Sequence, residues 1–223
     1  MAEPHPRFEV RYATEQDVPA LGHINSASFG GTALYRNAFP NVDSSAISGL
    51  KGALTLKHLA NPQIHVLAAV DSDAQEIVAY CRWVIPAGLG YDQPAIPLSA
   101  DGAALAANPM SRAPPAMNEG PYNAFKRLLE QGRAKYLTEG VMMVDILATA
   151  PQHQRKGIGA MCMRWGLEKA DALKAKVYIE STMDGYALYS SLGWKPLEEV
   201  TMDYAQLGGE GSQTFVLMMR DPQ

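Results

Sequence analysis

Cysteine is scarce in this chain. Cys81 and Cys162 are the whole complement, each set in an apolar stretch such as Ala79-Tyr80-Cys81-Arg82-Trp83. Two thiols so placed exclude a disulfide framework or a cysteine-built metal site, and both are expected to be buried and reduced. An excess of positive charge is missing too. The formal net charge is −4, so nucleic acid or an anionic membrane would have to be met by a local basic patch, and the sequence holds none. No run approaches the roughly 18 apolar residues of a membrane span, and Met1-Ala2-Glu3-Pro4-His5-Pro6 lacks the basic and apolar regions of a signal peptide. These absences lead to the expectation of a cytoplasmic protein with no nucleic acid and no membrane among its partners.

What is present is an ordinary globular composition, 47% apolar and 19% charged over 223 residues. That is enough for one well-buried core, and a single domain over 1–223 is expected. Phe8-Glu9-Val10-Arg11-Tyr12 alternates like a strand. Thr14-Glu15-Gln16-Asp17 then pairs a hydroxyl N-cap with an acid three residues on, and a helix should run from there to about Phe29, where Gly30-Gly31 breaks it. A second helix is expected over 45–59, stopped by Asn61-Pro62. Strands at 64–70 and 76–85 flank a short polar hairpin loop.

Residues 86–121 change character, holding seven of the chain's 15 prolines with little periodicity. Such a Pro/Ala/Gly-rich excursion reads either as a mobile insertion or as a loop over a binding site. After it come a helix over 122–137, an apolar strand over 141–148 interrupted by Asp145, a helix over 158–173, a strand over 177–180, a helix over 186–192 and a strand over 214–219. Strands interleaved with helices in this order imply an α/β fold with a mixed sheet covered by helices.

One segment carries chemistry. The strand through Asp145 runs into Pro151-Gln152-His153-Gln154-Arg155-Lys156-Gly157-Ile158-Gly159-Ala160, which opens a helix. Unpaired N–H groups point out of a helix start and the dipole places about half a positive charge there. Gly157 and Gly159 let a phosphate reach the main chain without a Cβ in between, and Arg155 and Lys156 add formal charge. Neither the Walker pattern nor the dinucleotide fingerprint is matched, which disfavours a nucleoside triphosphate or NAD.

In that setting, Gln154-Arg155-Lys156-Gly157-Ile158-Gly159 resembles the Gln/Arg-x-x-Gly-x-Gly/Ala pyrophosphate signature of the GNAT superfamily of N-acetyltransferases. Tyr189-Ser190-Ser191-Leu192-Gly193-Trp194 resembles its Tyr-x-x-x-Gly-Phe box, and Tyr12-Ala13-Thr14-Glu15-Gln16-Asp17 resembles its amino-terminal turn. The likeness is specific over 141–200, fair over 8–85 and absent over 86–121. It implies the GNAT fold, a mixed, mostly antiparallel central sheet flanked by helices and splayed between the strand holding Leu147 and the strand at 177–180. It also implies acetyl-CoA as co-substrate, its pantetheine arm lying in the splay. Contacts are then expected from Leu147, Ala148 and Thr149, from the turn and helix start at Gln154, Arg155, Lys156, Gly157, Ile158, Gly159 and Ala160, and from Thr182 and Tyr189. Where the family often carries an Asn before the tyrosine helix, this chain has Ser181-Thr182.

Acetyl transfer to an amine requires a neutral nucleophile, a donor to the oxyanion and a stabilised thiolate. An alkylamine of pKa about 10.4 is protonated at pH 7, and presenting it neutral costs roughly 4–5 kcal/mol unless a base or desolvation helps. Asp145 and Glu180 are the candidate carboxylates for base or amine binding, with a structural ion pair as the alternative for each. Tyr189 matches the family's general acid beside the sulfur. A phenol giving its proton to a thiolate is uphill by roughly 2 kcal/mol on ordinary values, so hydrogen bonding to the sulfur weighs as much as full transfer. The function expected is acetylation of a primary amine on a small molecule, with 86–121 closing over the acceptor. A protein N-terminal or lysine acetyltransferase is one alternative, and a non-catalytic acetyl-CoA-binding sensor is another. No metal is expected, and a homodimer is left open.

Overall fold

The computed structural model describes residues 7–93 and 96–223. The hexapeptide Met1 to Pro6 and the pair Pro94-Ala95 of the proline-rich segment lie outside the described residues. Seven strands and seven α-helices are assigned: β1 Phe8–Tyr12, α1 Val18–Phe29, α2 Ala33–Ala38, α3 Ser44–Leu59, β2 Ile64–Asp71, β3 Glu76–Val84, α4 Ala100–Ala107, α5 Glu119–Tyr136, β4 Met142–Thr149, α6 Ile158–Ala172, β5 Val177–Thr182, α7 Met183–Ser191, β6 Lys195–Asp203 and β7 Ser212–Arg220.

The strands form one sheet in the order β1-β2-β3-β4-β5-β7-β6. Every neighbouring pair is antiparallel except β4 and β5, which are parallel. Alternation along the strands sorts the apolar side chains to two faces. Cys81, Trp83, Met142, Val144, Val177 and Ile179 join α6 residues in one core cluster. Val66, Ala68, Tyr80 and Ala148 meet α1 and α3 on the opposite face. Further along that face, α2 and α5 pack over Phe215 and Met202. Cys81 and Cys162 are buried and free, as their apolar settings imply. No helix among the described residues is long and apolar enough to cross a membrane.

Three elements were not legible in the sequence, each for a physical reason. Helix α2 is only 6 residues long and rests on its Thr32 cap, whose hydroxyl accepts from Tyr35 N at 3.3 Å. Strand β6 is exposed along most of its length and contains Pro196 at an irregularity of the ladder with β7, as an edge strand tolerates. Helix α4 lies inside the proline-rich segment and is mostly alanine, so it carries helix propensity without an apolar stripe. Its cap Ser99 accepts from Gly102 N at 3.0 Å and is itself held by the Glu15 carboxylate.

The segment 86–121, in its described residues, lies along α3. Gln93 N donates to Pro62 O at 3.0 Å and Ile96 N to Leu59 O at 3.2 Å, which straps it along the end of α3. Ala113 and Met117 then pack beside α2 and α5. Where the sequence suggested a mobile insertion or a loop over the acceptor, the described residues of the segment pack against α3, α2 and α5.

The seating of α6 depends on Gly166. A Cβ there would meet the Trp83 ring at 2.3–2.5 Å, and Trp83 is fully buried. Gly166→Ala should lower unfolding free energy by about 1–3 kcal/mol through overpacking, read from the urea midpoint at constant m. A variant as stable as the wild type would show that α6 shifts freely over β3.

Candidate active site

The site begins with a fault in the sheet. Strand β4 keeps register with β3 up to a shift between Arg82 and Trp83, where Arg82 faces Ile146 and Trp83 faces Val144, leaving Asp145 as the extra residue of a bulge. At that residue β4 also leaves β5: the parallel pairing covers only Met142, Val144 and their intervening residue against Val177 to Ile179. Ala150 N reaches back to Val78 O on the β3 side. By alternation, the main-chain groups of Leu147 and Thr149 face the opened wedge. Thr149 O there accepts from Ser28 Oγ at 2.9 Å and from Gln154 Nε2 at 3.1 Å.

Four charges fill the fork. Arg133 of α5 donates through Nε to Glu180 Oε1 at 2.9 Å and through Nη2 to Glu180 Oε2 at 3.1 Å and Asp145 Oδ1 at 2.7 Å. Arg82 closes the cluster onto Asp145 Oδ2. Burial works against both carboxylates, but the outcomes differ. For Asp145 the two guanidiniums overcome burial and hold the carboxyl well below the usual range. For Glu180 burial outweighs Arg133, and its carboxyl is raised. The structural ion pair weighed for each residue is present in both cases. Asp145, clamped between two cations, is a poor proton acceptor; Glu180 is the more basic of the two.

Beyond the fork, β4 leads through a turn into α6. Arg155 has φ +63° and Gly157 φ +79°, so the chain makes two left-handed steps before the helix. Glycine at 157 answers to that dihedral, since a Cβ there would meet open space. Gly159 answers to packing, with a Cβ coming within 3.2 Å of Leu188 Cδ2 and 3.4 Å of Leu147 Cδ2. The two glycines thus serve different ends, where the sequence suggested one. Helix α6 starts with no side-chain cap and its first bond runs from Met161 N to Gly157 O at 3.1 Å. The N–H groups of Ile158, Gly159 and Ala160 are therefore those a helix start leaves outward.

The wedge opens into a cavity of about 970 Å³ whose lining includes both the α6 start and the fork. The sequence-assigned residues Leu147, Ala148, Thr149, Gln154, Arg155, Gly157, Ile158, Gly159, Ala160, Thr182 and Tyr189 all border it, as do Asp145 and Glu180; Lys156 does not. Thr182 is the N-cap residue of α7, without a side-chain cap bond, and its carbonyl accepts from Ser181 Oγ at 2.7 Å. Tyr189 of α7 is buried, edge-on to Trp194 with centroids 5.7 Å apart. Its hydroxyl has no hydrogen-bond partner among the described residues, and burial raises the phenol far above its ordinary value. It is a proton holder facing the wedge.

The other end of the cavity went unread in the sequence. Helix α3 turns Lys51, Thr55 and His58 toward it, at i, i+4 and i+7. Burial, reinforced by Arg82, pushes His58 down to about 3, so its imidazole is neutral. A buried chain runs beside it, from Tyr35 OH to Asn25 Oδ1 and from Asn25 Nδ2 to Tyr80 OH at 2.7 Å. The signal was a run of polar residues at helical spacing on a helix otherwise apolar on that side.

The fork makes a testable claim about stability. Asp145→Asn leaves Arg82 without a carboxylate and Arg133 with Glu180 alone, and should cost about 3–5 kcal/mol at pH 7. The folded carboxyl sits below its unfolded value of about 3.9, so its contribution is complete above that pH and is lost as pH falls through the folded value. The gap between the urea curves of the two proteins should begin to narrow below about pH 4 and keep narrowing with further acid; a gap that stays constant down to pH 2 would assign the loss to packing.

No protein-family model matches the chain. A probable acyltransferase SID5 of Ajellomyces capsulatus is 37% identical over 46 residues, which is 21% of this chain and 34% of that protein. The chain thus matches about a third of that relative's length. Superposition reaches much further. A structure described as histone acetyltransferase HPA2 and related acetyltransferase from Corynebacterium glutamicum matches with TM-score 0.60 at 18% identity, over 98% of each chain. A GNAT superfamily phosphinothricin acetyltransferase from Sinorhizobium meliloti, solved with acetyl-CoA, matches with TM-score 0.55 at 12% identity, over 97% of this chain and 89% of that one. Identities this low speak only of architecture, but the architecture agrees from end to end: the chain has the fold of the GNAT acetyltransferases.

Proposed function

We propose that this protein is an acetyl-CoA-dependent N-acetyltransferase that acetylates a primary amine of a small molecule by direct attack on the thioester. The observation that carries the reading is the wedge itself, where one cavity joins an uncapped helix start, two outward-facing strand residues and an unpartnered phenol.

Each part has a task. The N–H groups of Ile158, Gly159 and Ala160, with Arg155 beside them, take the pyrophosphate at the positive end of the α6 dipole. The main chain of Leu147 and the N–H of Thr149 lack a strand partner past the fork, and the extended pantetheine arm takes that partner's place. The amine attacks the acetyl carbonyl, forming the C–N bond; the C–S bond breaks and the pair goes to sulfur. Tyr189 donates a hydrogen bond to that sulfur. Because burial makes its phenol less acidic, stabilising the thiolate is the larger share of its work. Glu180 takes the proton from the amine, helped by the raised affinity that burial gives its carboxyl.

A small acceptor is supported by the chamber beyond the fork, walled by side chains of α1, α2, α3 and α5. The protein-directed and non-catalytic alternatives make other predictions for turnover, and thiol release from acetyl-CoA over a panel of small amines and peptides distinguishes them.

Acetyl-CoA should raise the melting temperature in a concentration-dependent way, because it binds only the folded state. Gly157→Asp, whose Cβ meets no atom but whose left-handed φ costs about 1–2 kcal/mol, sets a negative charge at the helix start and should abolish that shift while the protein stays folded, as its own melting curve would show. No shift for wild type at millimolar acetyl-CoA would end the reading.

Tyr189→Phe keeps the ring against Trp194 and deletes one donor. Acetyl-CoA affinity should persist and kcat should fall about 10²–10⁴-fold with little change in KM. A Phe variant retaining half the wild-type kcat, with chemistry limiting turnover, would leave Tyr189 a packing residue.

A further inference from the structure

The acceptor end of the cavity holds a cation that the fold does not neutralise. Lys51 has no carboxylate or carbonyl partner among the described residues, whereas both arginines of the fork are paired. Its ammonium stands instead among three rings, 5.0 Å from the centroid of Tyr35 and 5.5 Å from those of Phe39 and Tyr122. Lys126 borders the same chamber and likewise has no anionic partner among the described residues, while the acidic groups at this end, Asp145 and Glu180, are taken up by arginine. Burial, with Arg82 nearby, pushes the Lys51 ammonium down to about 8. A charge surrounded by protein and rings yet bordering the cavity is under a desolvation penalty that an incoming anion relieves.

The geometry points to Lys51 as the anchor for a carboxylate on the acceptor, so that the substrate class is an amino acid or longer amino-carboxylic acid, its amine at the fork and its anion in the aromatic cage. The rings fit this role. They hold the ammonium end by cation–π attraction and leave its N–H donors for a ligand oxygen. Thr55 and His58 follow Lys51 on the same face of α3 and line the same cavity, His58 with a neutral imidazole and Thr55 with its hydroxyl donating to Lys51 O at 2.9 Å. This inference rests on the transferase reading for the amine but not for the anion.

The test uses glycine, β-alanine, 4-aminobutyrate and 6-aminohexanoate, each against its carboxamide. Two readouts are taken: acetyl transfer by thiol release, and calorimetric binding in the presence of CoA, which needs no turnover. At least one acid should exceed its amide about 10- to 100-fold in kcat/KM and in affinity, the scale of one charged hydrogen bond. Lys51→Met should erase that preference, Lys51→Arg should restore part of it, and the melting shift given by acetyl-CoA should be the same in all. Lys51→Gln repeats the comparison with a polar side chain in case methionine disturbs the cage. Acids no better than amides in binding, or a preference that survives in Lys51→Met and Lys51→Gln, would overturn the anchor. Lys51-dependent binding of acids without acetyl transfer would instead remove the transferase reading and leave the anion site standing.

Discussion

Strands β4 and β5 cannot stay together past Val144, and most of what is distinctive in the molecule depends on that parting. The bulge at Asp145 rotates β4 away, while β5 continues on its pairing with β7 as far as Thr182. A sheet opened in its middle exposes main-chain groups and creates a void, both costly unless met. Arg133 meets the narrow end of the gap by reaching from α5 to a carboxylate on each strand. The wide end is left open, which is where a ligand able to act as a strand has its place. The ion cluster is thus a wedge that sets how far the sheet opens.

That wedge divides the cavity by charge. On the α6 side the field comes from the helix start and Arg155, both suited to phosphate. Within the fork, two cations and two anions cancel, so an incoming amine meets a neutral but strongly polarised wall. On the α3 side Lys51 leaves a net positive charge among aromatic rings. On the proposed reading, an amine-bearing acid approaching through this last region would be oriented before it reaches the thioester, its anion held back and its amine directed to Glu180. Orientation of this kind contributes to rate through the entropy of attack, which a bare carboxylate base does not supply.

The parts of the fold legible in the sequence were those with strong local signals. Capping at Thr14, the apolar run broken by Asp145 and the glycine-led start of α6 each placed an element within a few residues of where it lies. The elements that went unread draw their stability from elsewhere: β6 from its ladder with β7, α2 from the cores around it, α4 from Glu15 across the chain. The site divided in the same way. The proposed cofactor half is contiguous from Leu147 to Ala160, with Thr182 and Tyr189 added around α7, and a local pattern could announce its main stretch. The acceptor half is assembled from α1, α3, β3 and α5, and no stretch of sequence shows that Lys51, Tyr80 and Arg133 share a wall.

Asp145 and Glu180 show why a correct short list of residues still left their roles open. In sequence both are lone carboxylates on apolar strands, Asp145 interrupting one and Glu180 ending the next. In the fold one faces two guanidiniums and the other a single one, and that difference of one charge drives their proton affinities in opposite directions. Arg82 decides the matter, because it lies on β3 opposite the bulge and can reach only the β4 carboxylate. The residue that lowers Asp145 leaves Glu180 as the more basic carboxylate of the cluster, since Glu180 meets one guanidinium only. The difference in proton affinity between the two carboxylates therefore follows from the register of β3 against β4, set by the same bulge that opens the sheet.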